Sequence, residues 1–481
     1  MKILHASSEV FPYSKTGGLA DATAALARAQ AAAGHSVTLV TPLYRGIRDT
    51  FPGLEPLGQA ELPAKVWRLD PEPNLTVLFI DEPEWFDRDG LYGHVDDAER
   101  FIFFSKCVVR LAKHVEIVHA HDWQSGLVMP LLANEPVGKI FTIHNAAYQG
   151  RFPADKFALT GLPDAYFDSR QLEFHGDMNL LKGGVVSADL VTTVSPRYAR
   201  ELLTGEYGCG LEGVFQSRDD ALSGVLNGVD YTEWNTMDNP HLAAAYSADS
   251  PGGKAANKRA LQHELGLPLL DNAPLFGNIS RFTDQKGIDI LLGALKEQLD
   301  GGAVFQFAGL GSGDPSLEQA MSRLAKRHPE QVAVKIGYDT GLAHRIEAGS
   351  DFYVMPSRFE PCGLNQLYSL RYGSVPIVRT TGGLDDSVID LGQGEDTATG
   401  IKFGDCSAAA LGQALGQALG QALGQALGQA LGQALGQALD LFAEPKRLAR
   451  VRDNGMRADF SWRQTTAQYD RLYAKIKKPA A

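Results

Sequence analysis

Two short segments of this chain carry the residue types that could hold a phosphorylated sugar. The first is Lys15-Thr-Gly-Gly-Leu-Ala-Asp21, which follows the apolar run 2–6 and precedes an Ala/Leu-rich helical pattern over 22–33. A strand that ends in a Gly pair and opens a helix aims free backbone N–H groups at one point, which suits an anion. Gly17 and Gly18 permit close backbone approach, and Lys15 adds a point charge. Neither the P-loop nor the G-x-G-x-x-G spacing is present, so neither an ordinary nucleoside triphosphatase nor a dehydrogenase is indicated. The second segment is Ser357-Arg-Phe-Glu-Pro-Cys-Gly-Leu364. There Glu360 can accept from sugar hydroxyls, and the N–H groups after it suit a phosphate. Cys362 has no base at a recognisable spacing, so it reads as a small packing residue beside a ligand rather than a nucleophile.

Other polar groups fall at strand ends. Arg281 and Lys286 lie five positions apart around a turn that ends in Gly287, an arrangement that can clamp a diphosphate. Thr381-Gly382-Gly383 is a further Gly-rich turn. His119 and His121 alternate onto one strand face, which raises a metal site, but the H-x-H-D pattern has no third ligand at diagnostic spacing. A polar ligand for His121, Asp122 or Trp123 is the better reading. His144 can serve a sugar or be a satisfied core histidine; its own segment leaves both open. Gly309-Leu-Gly-Ser-Gly313 has G-x-G-x-G spacing and is weak support for a dinucleotide.

The elements that must position these groups are short apolar runs alternating with helical patterns. Strands are expected at 3–6, 36–41, 75–80, 117–120, 139–144 and 190–194, then again at 275–280, 303–308, 332–336, 352–355 and 375–378. This alternation predicts an α/β protein with two doubly wound parallel sheets, and ligands at the strand C-termini. The polar stretch 227–254 separates the two halves.

With 481 residues, two domains are the default. The net charge of −12 disfavours a general nucleic-acid binder. The scattered Cys107, Cys209, Cys362 and Cys406, with no signal-peptide pattern and no apolar span, read as a cytoplasmic chain without membrane insertion. Residues 410–437 are seven consecutive Ala-Leu-Gly-Gln copies. As one helix they would run about 40 Å, with the leucine stripe drifting by roughly 40° per copy. We read them as a tolerated low-complexity insert lengthening a helix of the second domain, with an interaction helix as the alternative.

Taken in order, the segments resemble glycosyltransferase family 5, the bacterial glycogen synthases and plant starch synthases. The resemblance rests on Lys15-Thr-Gly-Gly-Leu19, His119-Ala-His-Asp-Trp123, His144-Asn145 with Tyr148-Gln-Gly150, Leu226-Asn-Gly-Val-Asp230, Ser280-Arg281 with Gln285-Lys-Gly287, Ile336-Gly-Tyr338, Ser357 to Leu364, Thr381-Gly-Gly-Leu384 and Asp459-Phe-Ser-Trp462. It implies two Rossmann-like domains facing a cleft (GT-B type), with residues 1–228 plus a returning segment 459–481 as the first and 229–458 as the second. It implies metal-independent, retaining transfer of glucose from ADP-glucose to the non-reducing end of an α-1,4-glucan such as glycogen. By resemblance, Arg281 and Lys286 hold the donor diphosphate, Glu360 lies beside the transferred glucose, His144 beside the anomeric carbon, and Asp122 contacts the donor sugar. Lys15, Gly17 and Gly18 meet the donor on closure, and Tyr338 stacks on adenine. Cys362, Gly363 and Leu364, with Thr381 and Gly382, complete the donor site. No cofactor is expected, and the lack of a transit peptide reads as bacterial.

The chain departs from the family at Asn365, where Thr is usual, and in the Ala-Leu-Gly-Gln run. A related transferase with another nucleotide-sugar, or an inactive glucan-binding homologue, are the rival readings; the intact Glu-Pro-Cys-Gly-Leu favours neither.

Overall fold

The computed structural model describes residues 1–57, 63–404 and 418–478. The chain divides into two compact units, Met1–Gly228 with Ser461–Ala481, and Val229–Phe460.

In the first unit the strands are β1 (Lys2–Ala6), β2 (Ser36–Pro42), β3 (Glu55–Pro56), β4 (Lys65–Glu72), β5 (Leu75–Asp81), β6 (Ile117–His121), β7 (Gly138–Ile143), β8 (Arg151–Pro153), β9 (Glu173–Phe174), β10 (Asp177–Asn179), β11 (Leu190–Thr193) and β12 (Leu222–Gly224). Nine form one sheet in the order β12-β11-β7-β6-β1-β2-β5-β4-β3, and β8, β10 and β9 form a small separate sheet. The run from β12 to β5 is parallel, and only the β5–β4–β3 edge is antiparallel. The alternation of strand and helix patterns foresaw the parallel core. It missed β4, where Val66, Trp67 and Leu69 are interleaved with Lys65, Arg68 and Asp70 between β5 and the two-residue edge strand β3. The helix Trp462–Ile476 returns to this sheet. Its Tyr469, Leu472 and Tyr473 are buried with Ile3, Leu26, Ile117, Ile140 and Val225. Gly138 makes the approach possible, since a Cβ there would stand 2.6 Å from the Ile476 carbonyl oxygen.

The second unit holds β13 (Leu275–Phe282), β14 (Gln306–Gly313), β15 (Val332–Ile336), β16 (Phe352–Met355), β17 (Val375–Arg379) and β18 (Ile401–Phe403). They form one parallel sheet in the order β15-β14-β13-β16-β17-β18. The β13/β16 pair is where connections reverse direction across the sheet, so a ligand is expected at the C-terminal ends around it. The strand expected at 303–308 instead runs through Gly309-Leu-Gly-Ser-Gly313, and Gly311 pairs with Ser280. A Cβ on Gly311 would stand 2.0 Å from the Ser280 carbonyl oxygen. That glycine spacing therefore serves strand packing, and the dinucleotide reading falls.

Residues 410–417 of the repeat lie outside the described residues, and a helix spans Ala418–Phe442. Leu427, Leu431 and Leu435 are fully or almost fully buried in the second core, packed with the helix Ile288–Asp300. Leu439 is only partly buried, and Ala434, Ala438 and Leu441 take over the inner face. That is the expected drift of a four-residue period on a 3.6-residue helix. The later copies are thus core structure, not an inert extension. No helix among the described residues is long and apolar enough to cross a membrane.

Leu431→Ala should lower unfolding stability by about 2–5 kcal/mol. Gly436→Ala, whose added Cβ would meet nothing within 4 Å, should raise it by roughly 1 kcal/mol. Chemical denaturation of the two variants checks both.

Candidate active site

In the second unit, a cavity of about 300 Å³ opens at the C-terminal ends of β13, β14 and β16. Arg281, Lys286, Tyr338, Gly363 and Leu364 all line it, as do Ser280, Gly337 and Asn365. Arg281 is exposed, and its guanidinium has no hydrogen-bond or ion-pair partner among the described residues. An unpaired cation on the wall of a cavity is a natural seat for an anion. Tyr338 is 84% exposed, with its ring offered to a flat ligand.

Lys286 donates to Glu360 Oε2 at 2.5 Å, and the Ser357 hydroxyl donates to the same oxygen at 3.0 Å. Glu360 is buried, so this pair is held away from bulk water. Gly287 places Lys286: it adopts φ +65°, and a Cβ there would stand 2.1 Å from the Pro356 carbonyl oxygen. The turn at Thr381-Gly382-Gly383 supports Glu360 from behind. The Gly383 N–H donates to the carbonyls of Glu360 and Pro361, both at 3.1 Å. Cβ atoms on Gly382 and Gly383 would stand 2.0 Å from the Glu360 and Cys362 carbonyl oxygens, respectively. Thr381, Gly382 and Cys362 are buried in and behind this turn, and neither they nor Glu360 itself is among the residues that line the cavity. Asn365 donates to the Ile279 carbonyl at 2.7 Å and to the Tyr353 hydroxyl at 2.6 Å, two donations that a threonine hydroxyl could not make together.

In the first unit, Asp122 follows β6 with φ +56°, a left-handed conformation that costs energy for a non-glycine residue. It is held there by its own carboxylate, which accepts from the His144 N–H at 2.7 Å and from the Asn145 N–H. The two strand ends carrying Asp122 and His144 are thereby locked together. Burial raises the Asp122 carboxyl to about 7, opposed by those two N–H donors. His144 is half-buried, and burial lowers its imidazole to about 3, so it is neutral near pH 7.

Behind His144 stand three buried histidines. His5 lies opposite His119 in the β1/β6 register, and His121 is two residues on along the same face. Sequence spacing could not supply His5, because the register brings it from another strand. His5, His119 and His121 are the one such group among the described residues close enough to hold a metal, with ligand atoms within 4.8 Å of one another. All six ring nitrogens are already engaged within the protein, with Gln30, Tyr473, Thr142, His144 and each other.

The Lys15 loop corrects a reading made from sequence. Two of its amides are already engaged: the Thr16 and Gly17 N–H groups both donate to the Glu9 carboxylate, as does the Thr16 hydroxyl. Lys15 pairs with Asp21 at 2.8 Å. Glu9 was not singled out from the sequence, since nothing in its spacing marks it. Cβ atoms on Gly17 and Gly18 would meet nothing within 4 Å, and neither residue has a positive φ. The fold of this unit makes no demand for glycine at either position.

A sequence model of the starch synthase catalytic domain matches residues 2–217, and one of the glycosyl transferases group 1 matches 266–425. The chain is 42% identical to a glycogen synthase of Koribacter versatilis, over 100% of this chain and 99% of that protein. The chain belongs to the glycogen synthase and starch synthase family. A glycogen synthase of Myxococcus xanthus is 43% identical over 98% of this chain and 99% of its own length. Among solved structures, the catalytic domain of starch synthase IV from Arabidopsis thaliana, bound to ADP and acarbose, matches with TM-score 0.84 and 31% identity over 98% of this chain and 99% of that one. A sucrose-phosphate synthase from Thermosynechococcus elongatus, at 18% identity and TM-score 0.61 over 98% of both chains, shares the two-unit GT-B fold.

A raised carboxyl pKa means that the folded protein binds an extra proton between about pH 4 and about 7. Stability then falls as pH rises through that window. In Asp122→Asn this contribution is absent, so the stability difference between variant and wild type should widen in favour of the variant from pH 4 to 7 and level off above. Urea unfolding across that range measures it.

Proposed function

We propose that the chain is a glycogen synthase: it transfers glucose from ADP-glucose to the non-reducing end of an α-1,4-glucan, with retention, and releases ADP. The observation that carries this is the cavity of the second unit, where unpartnered Arg281 stands beside a Lys286–Glu360 pair. The leaving ADP develops negative charge as the glycosidic bond to phosphate breaks. Fixed cations aimed at that charge lower the barrier without reorganising when it forms. Arg281 binds the diphosphate. Lys286 is shared between the diphosphate and Glu360, and Glu360 accepts from hydroxyls of the transferred glucose. Tyr338 offers its exposed ring to adenine, and Gly363 and Leu364 border the sugar-phosphate. His144 and Asp122 serve the sugar as its anomeric carbon takes on oxocarbenium character. Lys15, Gly17 and Gly18 act on the donor in a conformation where Lys15 leaves Asp21. The acceptor hydroxyl loses its proton to the departing phosphate.

We assign no metal or other cofactor to this reaction. The commitment of all six ring nitrogens of His5, His119 and His121 to protein partners supports that reading. The acidic net charge of −12 supports a chain that does not bind nucleic acid, and we place it in the cytoplasm.

Purified protein given labelled ADP-glucose and glycogen should elongate the glucan and release ADP, with UDP-glucose a poor donor. A strong preference for UDP-glucose, or no transfer at all, refutes the assignment. Arg281→Ala should lower kcat/KM by roughly 10²–10³, the scale for removing one preorganised charge partner. A chelator should leave the wild-type rate unchanged.

A further inference from the structure

The engaged histidines of the first unit form more than a packed cluster. Gln30, on the helix Gly18–Ala32, turns its amide oxygen to His5 Nε2 at 2.7 Å and its amide nitrogen to the Tyr473 hydroxyl at 2.9 Å. His5 Nδ1 meets His121 Nε2 at 3.0 Å, and His121 Nδ1 meets His144 Nε2 at 3.1 Å. Tyr473, Gln30, His5 and His121 are all buried. We propose that these four residues form a tautomer relay that holds the proton of His144 on Nε2, so that His144 meets a bound group through Nδ1 as a hydrogen-bond acceptor.

Donor and acceptor parity sets the polarity of the relay. A neutral imidazole donates from one nitrogen and accepts at the other. Burial holds His144 and the two histidines of the relay neutral near pH 7: it lowers His5 to about 4, His121 well below its ordinary value, and His144 to about 3. The Gln30 amide oxygen can only accept, so the His5 proton is on Nε2 and its Nδ1 is bare. His121 must then donate from Nε2, which leaves its Nδ1 bare. His144 must donate from Nε2 in turn. Reversing one link alone would set two lone pairs or two N–H groups face to face in a dry site, at a cost of about 1–3 kcal/mol. The relay therefore reverses as a whole or not at all.

A side branch is consistent with the same polarity. The Tyr473 hydroxyl accepts from Gln30 and donates to His119 Nδ1 at 2.8 Å, and His119 Nε2 donates to the Thr142 hydroxyl at 2.5 Å. His144 Nδ1 has no protein partner among the described residues. A group that binds there must bring its own hydrogen. A hydroxyl does so, whereas a phosphate oxygen does not. Only in naming that hydroxyl as one of the transferred sugar's does the inference rest on the proposed function. Tyr473, Gln30, His5 and His121 are positioning residues, and the last helix of the chain contributes one end of the relay.

The test is ¹⁵N NMR of the full-length protein labelled at histidine, with the His144 signals assigned by their loss in His144→Gln. The expected wild-type state is protonated Nε2 with bare Nδ1. Gln30→Glu, which keeps an acceptor facing His5, should preserve it. Gln30→Leu and Tyr473→Phe should each mix the two tautomers, and Gln30→Leu should raise the KM for donor sugar nucleotide by up to about tenfold, the worth of a neutral hydrogen bond, with a smaller change in kcat. A His144 proton on Nδ1 in the wild type overturns the relay. So does an unchanged tautomer in both Gln30→Leu and Tyr473→Phe. A shifted tautomer with unchanged KM overturns the acceptor role. A wild-type protein with the expected tautomer but no glucosyl transfer overturns the proposed function and leaves the relay standing.

Discussion

Hydrogen bonding between parallel strands fixes, to the residue, which side chains stand together at the C-terminal edge of each sheet, and the chemistry of both units depends on that register. In the first unit, β1 against β6 sets His5 opposite His119, and β6 against β7 sets His121 opposite Thr142. A slip of one residue would turn each of these side chains to the other face. In the second, β13 against β14 and β16 gathers Ser280, Arg281, Gly311 and Met355 around one cavity. Loops then add only the final groups: Asp122 and His144 in the first unit, Lys286 and Glu360 in the second.

The register also sets a demand on backbone thickness. Turns that leave neighbouring parallel strands on the same edge crowd each other. This chain meets the crowding with glycines whose absent side chains are occupied by carbonyl oxygens: Gly287 against Pro356, Gly382 against Glu360, Gly383 against Cys362. The second unit thus holds its buried carboxylate by backbone contact, and the Lys286–Glu360 pair is fixed before any ligand arrives. The first unit uses a different device. There a strained Asp122 backbone is secured by the same carboxylate that caps the following strand end.

Much of this was legible in the sequence, and the boundary of legibility is physical. Parallel strands buried on both faces read as apolar runs, so the core strands of both sheets could be placed. The motifs around Arg281, Lys286, Tyr338 and Gly363 are local in sequence and local in the fold, and they line one cavity. What escaped is what depends on partners far apart in the chain. His5 joins His119 and His121 only through strand pairing. Glu9 reaches Thr16 and Gly17 only because the loop folds back. The contact of the Thr381-Gly382-Gly383 turn with the Glu360 carbonyl also escaped, because composition alone does not tell a Gly-rich turn that cradles a phosphate from one that cradles a carbonyl. The repeat misled for a related reason: its monotony suggested filler, yet a leucine every fourth residue stays within an apolar stripe for three successive copies before drifting out.

That repeat has one more consequence. The inward-facing set, Leu427, Leu431, Ala434, Leu435, Ala438 and Leu441, is read backward from the end of the helix at Phe442. Because the copies are identical, a chain with one copy more or fewer would present the same side chains to the second core, with a different copy filling each place. Among the described residues, the packing therefore depends on the four-residue pattern and on where the helix ends, not on which copy of the repeat fills a given place.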